Sequence, residues 1–491
     1  MSKLFKASLL ITVFFGINKI VALLRQAIIA RQFGLGSGID AFNVANNLPD
    51  LLFSLISGGA LALAFIPVLT EYLDKKGRDD SWRLFSQIAN LVFLTTAILS
   101  ILVTIFATPL ISSPLGVAPG FSASQQELTV NLMRLNLIAT LVFSLSGLVM
   151  AALQSHKHFL LPAIAPILYN VGQIIGAIFF APFFGVYGLV YGMILGSILH
   201  LLVQIPAMIH FRFRWTPLID LKDKGVQRVL TLMGPRILTV LFIQIIFLTR
   251  DNLASRLQEG AVTALTYGYF ILQVPETLIG TAIATALLPT LSQFADRRDK
   301  ESFTKTLNKT IRVIIALTLI VTVVSSISLD YLLKPIFNTS TSLLVWTTRA
   351  YLIGLVTQSL LEVVTRAFYA KQDSKTPFII TLVRMILYIL IAITLFNPFG
   401  AVGLALADSI TVSLEVIVLL VLLAKTMPGL LEMGDMLKRV ALACIVSALV
   451  FYGVIYLLPI PSVLAALIGL ALATLSAAIF IKKEIRMLLR L

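Results

Sequence analysis

Two cations, Lys19 and Arg25, stand in the otherwise uncharged run VFFGINKIVALLRQAIIA near the start of the chain. Two acids follow, Asp40 in GIDAFN and Asp50 in NNLPDLL. An ionised group at bilayer depth is costly, so it faces protein or a water-filled cavity rather than acyl chains. Cations in such a cavity attract an anionic headgroup such as a diphosphate, arginine by forking its N–H donors onto two oxygens. A neighbouring aspartate, Asp40, would compete for these cations when the site is empty. Farther on, Arg250 and Asp251 adjoin in FLTRDNLA, and Asp408 and Glu415 lie in a later apolar run. Glu362 and Arg366, spaced i,i+4, share a helix face and can pair. A structural alternative stands beside each reading. Arg25, Arg236, Arg250 and Arg256 lie close enough to run ends to snorkel to an interface, and Glu362 with Arg366 can be a neutralised pair rather than an ion-coupling or gating site. Lys19, about halfway along its run, is the hardest to explain that way.

The elements that must position these residues are membrane helices. The chain has 491 residues, of which 58% are hydrophobic and 12% charged, and its mean hydropathy is +0.97. A soluble protein of that composition would expose large apolar patches. Apolar runs of about twenty residues, enough to cross the hydrocarbon as a helix, recur from end to end. They predict about fourteen spans, near 7–30, 41–70, 84–112, 127–153, 160–182, 184–209, 227–256, 262–292, 311–334, 343–371, 377–397, 399–425, 437–458 and 461–481. The N-terminal run lacks a small-residue cleavage site and carries Lys19 and Arg25, so it reads as a retained first helix. Cys444, the single cysteine, lies in an apolar run and excludes a disulfide framework or a cysteine-based metal site.

The net charge of +15 belongs to topology rather than to nucleic acid. Cations cluster after even-numbered spans, as Lys75, Lys76, Arg78 and Arg83 do after the second and Arg297, Arg298, Lys300 and Lys305 after the eighth. Connections after odd spans, such as APFFGVYG, NPFG and LPIPS, carry none. The alternation is the positive-inside pattern and puts both termini in the cytosol.

The chain also repeats itself. ALAFIPVLTEYLDKK, with Pro67, returns as ATALLPTLSQFADRR, with Pro289, 222 residues later. ALQSHKHFLLP returns as AFYAKQDSKTP, and FGVYGL as FGAVGL, both after 215 residues. The period holds six spans, an even number, so the copies enter the membrane from the same side. The expected fold is an all-α polytopic membrane protein. It has two parallel six-helix lobes, residues 1–215 and 225–426, around a central cavity, with two additional helices at 437–481. Rocking two such lobes exposes a cavity to either side in turn, which is a transporter plan. Pro49, Gly58, Gly59 and Pro67 interrupt the second span and mark either a hinge or ordinary membrane-helix kinks.

Five segments, LLRQAIIARQFGLGSGIDAFNVANNLPDLL, GGALALAFIPVLTEY, HFLLPAIAPILYN, GTAIATALLPTLS and FYAKQDSKTP, occur in the order in which they occur in the MurJ (MviN) family of lipid II flippases, which the chain resembles. The resemblance implies the fold of the multidrug/oligosaccharidyl-lipid/polysaccharide exporter superfamily. It also implies translocation of undecaprenyl-diphosphate-linked peptidoglycan precursor from the inner to the outer leaflet by alternating access, with no catalysis. The last two helices of that family form a groove for the lipid tail, a role open to 437–481. Arg25 and Asp40 match cavity residues of the family; Lys19 and Phe53 stand where the family has arginine; Tyr269, Phe270 and Gln273 stand at charged positions of its eighth helix.

The expected function is therefore a flippase of a bacterial cytoplasmic membrane. Lys19, Arg25, Asp40, Arg250 and Asp251 form its headgroup site, Asp50, Glu362 and Arg366 serve gating or ion coupling, and Pro49, Gly58 and Gly59 form a hinge. No cofactor or metal is expected beyond a coupling ion that the sequence does not name. The partners are the lipid-linked precursor, membrane lipids and proteins of peptidoglycan synthesis. Export of another lipid-linked saccharide, drug/cation antiport on the same fold, and a non-transporting scaffold for wall enzymes are the alternatives. Antiport predicts acid-dominated cavities, and a glycosyltransferase needs catalytic acids on outer loops that NPFG and LPIPS leave no room for.

Overall fold

The computed structural model describes residues 3–56, 59–337, 341–458 and 460–488, and among them the chain is helical with no strand. It divides into two compact units, Met1–Glu259 and Gly260–Leu491. The first contains α1 (Lys3–Phe33), α2 (Ser37–Ala45), α3 (Asn47–Ile56), α4 (Gly59–Lys75), α5 (Arg78–Ile105), α6 (Ala107–Ser112), α7 (Ala123–Ser155), α8 (Leu160–Ile175), α9 (Ala181–Phe184), α10 (Tyr187–Leu202), α11 (Ile205–His210) and α12 (Lys224–Ala254). The second contains α13 (Ala261–Glu276), α14 (Ala282–Asp296), α15 (Lys300–Leu333), α16 (Thr341–Ile353), α17 (Leu355–Ala370), α18 (Lys375–Thr426), α19 (Met436–Leu457), α20 (Ser462–Phe480) and α21 (Lys482–Leu488).

Helix starts follow local chemistry. The Asp223 carboxylate accepts from the backbone N–H groups of Gly225 and Val226 at 2.7 and 3.2 Å, and the Asp299 carboxylate from that of Ser302 at 3.0 Å. Each satisfies donors that a helix leaves open at its first turn. Asp79 and Asp80 sit in the first turn of α5, where the helix dipole favours negative charge.

Eleven helices among the described residues are long and apolar enough to cross a membrane, against the fourteen spans expected. Three places account for the difference. The expected second span is divided among α2, α3 and α4, and the tenth is broken at Gly354 into α16 and α17. The eleventh and twelfth form one continuous stretch, α18, inside which Gly400 reverses the backbone at φ 56°, ψ −133°.

The repeat is visible in the backbone itself. Gly185, the partner of Gly400 in FGVYGL, has φ 57° and ψ −138°. Only glycine enters that region without strain, so both copies turn on the same residue in the same way. Lys157 and Gln372, also 215 apart, share φ 60° after α7 and α17.

Within the first unit α12 packs on α3, α4 and α5, and its Val226, Val229 and Met233 enter a core with Phe65, Trp82 and Phe85. Its N-terminal end is tied by an Arg228–Glu71 ion pair. Its C-terminal end is tied by Asn252 and Arg256, which donate to the Pro114 carbonyl at 3.1 Å each, and by Ser255, whose hydroxyl accepts from Gly120 N at 3.1 Å. Glycines let α8 and α10 approach closely: a Cβ on Gly192 would lie 2.7 Å from Gly176 Cα and 3.0 Å from Gly172 O. In the second unit α19 and α20 pair with each other and with α15. The buried Glu484 carboxylate, held by Arg439 at 2.6 and 3.1 Å and by Arg312 at 3.7 Å, ties the start of α19 to α15 and to the segment after α20.

Candidate substrate-binding site

Helices α1, α3 and α8 assemble a polar group inside the first unit. The Arg25 guanidinium donates to Gln173 Oε1 at 3.2 Å and faces Gln26 Oε1 at 3.5 Å. It acts electrostatically on Asp50 of α3 and on Tyr169 of α8. Asn170 Nδ2 donates to Asn18 Oδ1 at 2.9 Å, a second join between α8 and α1. Asp50 is solvent-accessible. Beside it the Phe53 ring meets that of Phe143 at 4.7 Å, tilted by 49°, and Phe143 meets Tyr169 at 4.6 Å and His200 at 4.7 Å. An aromatic surface therefore occupies the position where the resemblance implies arginine. His200 is buried and held by Ser146 Oγ at 2.6 Å, which also accepts from Gln204 at 2.9 Å.

Lys19 is half-buried, with its ammonium 5.7 Å from the Phe15 ring centre and no carboxylate within ion-pair distance among the described residues. Asp40 is buried in the first turn of α2. Arg250 and Asp251 are buried and paired, Nε to Oδ1 at 2.7 Å; Asn47 donates to the other carboxylate oxygen at 2.7 Å, and the guanidinium lies 5.1 Å from the Phe247 ring. Both oxygens of Asp251 are thus engaged, and the Asn47 bond joins α12 to α3. Pro49 is buried in the first turn of α3, and Gly59 opens α4. Gly58 and the side chain of Arg236 lie outside the described residues.

The second unit has its own charge cluster. Arg384, midway along the first half of α18, donates to Asp408 Oδ1 at 3.0 Å and to Glu415 Oε2 at 3.1 Å. Thr381 Oγ1 donates to Glu415 Oε1 at 2.8 Å, and Tyr269 of α13 lies near Arg384. Glu362 and Arg366 form the pair expected from their spacing, and Arg366 also reaches Thr285 Oγ1 at 3.4 Å. Helix α13 is not stripped of charge by Tyr269, Phe270 and Gln273. Glu276, three residues past Gln273 and therefore on the same face, is buried and accepts from Thr281 Oγ1 at 3.0 Å and Thr277 Oγ1 at 3.3 Å. It sits against a π-helical turn, Thr277–Thr281, behind Pro275; such turns recur at functional sites.

Residues 29–478 match the family described as lipid II flippase MurJ. The lipid II flippase MurJ of Burkholderia cenocepacia is 31% identical over 471 residues, covering 92% of this chain and 90% of that one. The chain belongs to the lipid II flippase MurJ family. A probable lipid II flippase MurJ of Buchnera aphidicola is 28% identical over 80% of this chain and 79% of its own. Among solved structures, lipid II flippase MurJ in an inward closed conformation superposes with TM-score 0.81 at 24% identity, covering 97% of this chain and all of that one. An inward-facing multidrug resistance MATE transporter of the MOP superfamily superposes with TM-score 0.69 at 16% identity over 86% of this chain and 98% of its own. These two likenesses establish the fold, and the MurJ fold on these residues is a multi-pass membrane protein.

Within that family frame, Lys19, Arg25 and Asp50 stand out in the sequence as charges in apolar runs, and the amides beside Arg25 do not. Gln173, Asn170 and Asn18 are amides inside apolar runs, a signal as legible as a charge once α1 and α8 are known to pair. Arg384 was equally visible as a lone guanidinium within the 377–397 run, with Asp408 and Glu415 seven residues apart on the next helical stretch as its available counter-charges.

Proposed function

We propose that the chain translocates lipid II, the undecaprenyl-diphosphate-linked peptidoglycan precursor, from the inner to the outer leaflet of a bacterial cytoplasmic membrane. It acts as a transporter and not as an enzyme, with both termini in the cytosol. Two six-helix lobes, 1–215 and 225–426, alternate access to a headgroup site while 437–481 accommodates the polyprenyl tail. The observation that carries this reading is the half-buried Arg25, aimed by Gln173 at a wall it shares with the accessible Asp50. A preoriented guanidinium in a hollow is suited to a diphosphate.

Lys19 supplies the second cation on the same helix. Asp40 competes for these cations when no headgroup is bound, and Asp50 serves gating or ion coupling. Arg250 and Asp251 act as the pin that keeps α12 against this wall, with Arg250 free to serve the headgroup only when that pair opens. Pro49, Gly58 and Gly59 provide the bend. In the second lobe Glu362 and Arg366 gate movement, and the driving force is the membrane potential or a coupling ion, one charge through 100 mV being worth about 2.3 kcal/mol. Partner proteins of wall synthesis would supply and consume the lipid on either side.

Complementation of a flippase-depleted bacterium, read by the precursor exposed on the outer leaflet, tests the proposal. The parent chain should restore exposure and growth, Arg25→Ala and Lys19→Ala should lose both, and Arg25→Lys should retain part. Growth restored without outer-leaflet exposure, or full exposure by the double alanine variant, would overturn it.

A further inference from the structure

Between α11 and α12 the chain abandons helix, and residues 211–223 run as an extended strap along α5. One polar stripe of that helix holds it. Trp82 Nε1 donates to Phe211 O at 3.2 Å, and Ser86 Oγ accepts from Thr216 N at 3.2 Å. Asn90 Nδ2 donates to Thr216 O and Leu218 O at 2.8 and 3.0 Å and accepts from Trp215 Nε1 at 2.8 Å. Gln87 Oε1 accepts from Asp220 N at 3.2 Å. Trp82, Ser86 and Asn90 are spaced i, i+4, i+8, so they lie on one face and take the strap's backbone groups in turn. Irregular backbone beside a membrane helix persists only where protein satisfies it in this way.

The strap's side chains alternate. Phe211 and Phe213 turn inward, Phe213 against Trp82 at 5.3 Å and Phe85 at 5.2 Å, and Phe211 against His156 at 4.8 Å. Arg212, Arg214, Lys222 and Lys224 turn outward, exposed and without an ion-pair partner among the described residues. Between the two pairs of cations, Trp215, Leu218, Ile219 and Leu221 are also exposed. The two acids of the segment, Asp220, which accepts from Lys222 N at 2.9 Å, and Asp223, which caps α12, offset only half of that charge. A loop in water has no use for four large exposed apolar side chains, and a topology signal alone requires only the cations.

We infer that this strap is a docking surface for anionic phospholipid headgroups of the cytosolic leaflet, the apolar middle entering the interface and the flanking cations binding phosphate. Tryptophan belongs at that depth, and each cation near an anionic surface is worth roughly a fivefold enrichment at low salt. The surface is separate from the hollow beside Arg25, and its occupant is bulk lipid rather than the transported molecule.

Trp215 reports on it directly. Trp82 is buried and Trp346 is the other exposed tryptophan, so the full chain carrying Trp346→Phe is reconstituted in phosphatidylcholine vesicles. Brominated phosphatidylglycerol or brominated phosphatidylcholine is then added at equal mole fraction as quencher. The expected result is several-fold stronger quenching by the anionic lipid. That preference should fade when salt shortens the screening length from about 10 Å at 0.1 M to about 3 Å at 1 M. Replacing Arg212, Arg214, Lys222 and Lys224 by glutamine should equalise the two quenchers while Trp215 stays in contact with lipid. Equal quenching in the parent, a preference that survives the glutamine replacements or high salt, displacement only by a polyprenyl diphosphate, or a Trp215 shielded from both lipids by a protein would each overturn the assignment. The salt titration needs no variant, so a failure of the quadruple variant to fold leaves the test intact.

Discussion

Replacing Arg384 by leucine isolates the energetic role of the second unit's charge cluster. Its side chain and that of Asp408 are 11% exposed and that of Glu415 2%, so little solvent screens what remains. Leucine would leave two carboxylates within one buried site, with Thr381 the one remaining donor to either among the described residues. Removing one partner of a buried ion pair costs about 3–5 kcal/mol, chiefly through the charge left behind. The triple variant Arg384→Leu, Asp408→Val, Glu415→Leu removes that charge, and replacing a buried ionic group whole by packed apolar side chains is close to neutral. It should therefore recover to within about 1–2 kcal/mol of the parent. Equilibrium unfolding of the full chain in mixed micelles by rising dodecyl sulfate gives both numbers. If the single variant loses less than about 1 kcal/mol, or the triple is no more stable than the single, the cluster is not held by its charges and the reasoning fails.

Three further outcomes are expected. Gly192→Ala should cost about 1–3 kcal/mol by overpacking, because its methyl meets backbone atoms of Gly176 and Gly172 that cannot rotate away; thermal melting in detergent reads this, and Gly16→Ala, with nothing near its Cβ position, is the control. Asn47→Leu should destabilise by about 1.5–3 kcal/mol, the worth of a hydrogen bond to a charged group, since the buried Asp251 oxygen it serves loses that donor. The third outcome concerns pH. Burial holds His156 below the ordinary histidine value of 6.5, and burial together with His210 does the same for His158. The unfolded chain therefore takes up protons first, so stability is unaffected well above that value and declines as pH falls through it. Melting temperatures measured on either side of about pH 6.5 should show that decline, and His156→Phe, which can keep the stacking on Trp82, should flatten part of it.

Much of the architecture was open to reading because membrane helices advertise themselves by length and apolarity, and the basic loops mark their phase. The repeat was legible for a different reason. FGVYGL and FGAVGL contain the glycine that each copy needs for the same left-handed reversal. Helix breaks were harder. Gly354 and the turn at Asn46 divide runs that hydropathy alone treats as continuous, because a polar or flexible residue barely alters a window's average. The candidate site was half legible. Lys19, Arg25 and Asp50 stood out as charges, whereas Gln173 acquires its role only when α8 lies beside α1, and Glu276 only when a π turn rotates it inward. Pairing of Arg250 with Asp251 follows from adjacency, but Asn47 as the third member lies 204 residues away and has no local signature.

The anchoring of α12 at both ends decides where this polypeptide can be divided. A gene interrupted in the basic loop, at the hand-over from one copy of the repeat to the next, would sever the strap and strip Val226, Val229 and Met233 from the core they complete. Interrupted instead just before Gly260, it would encode two fragments, each keeping its own apolar interior intact. Those are the halves to express from separate promoters when the working protein is to be rebuilt from its pieces.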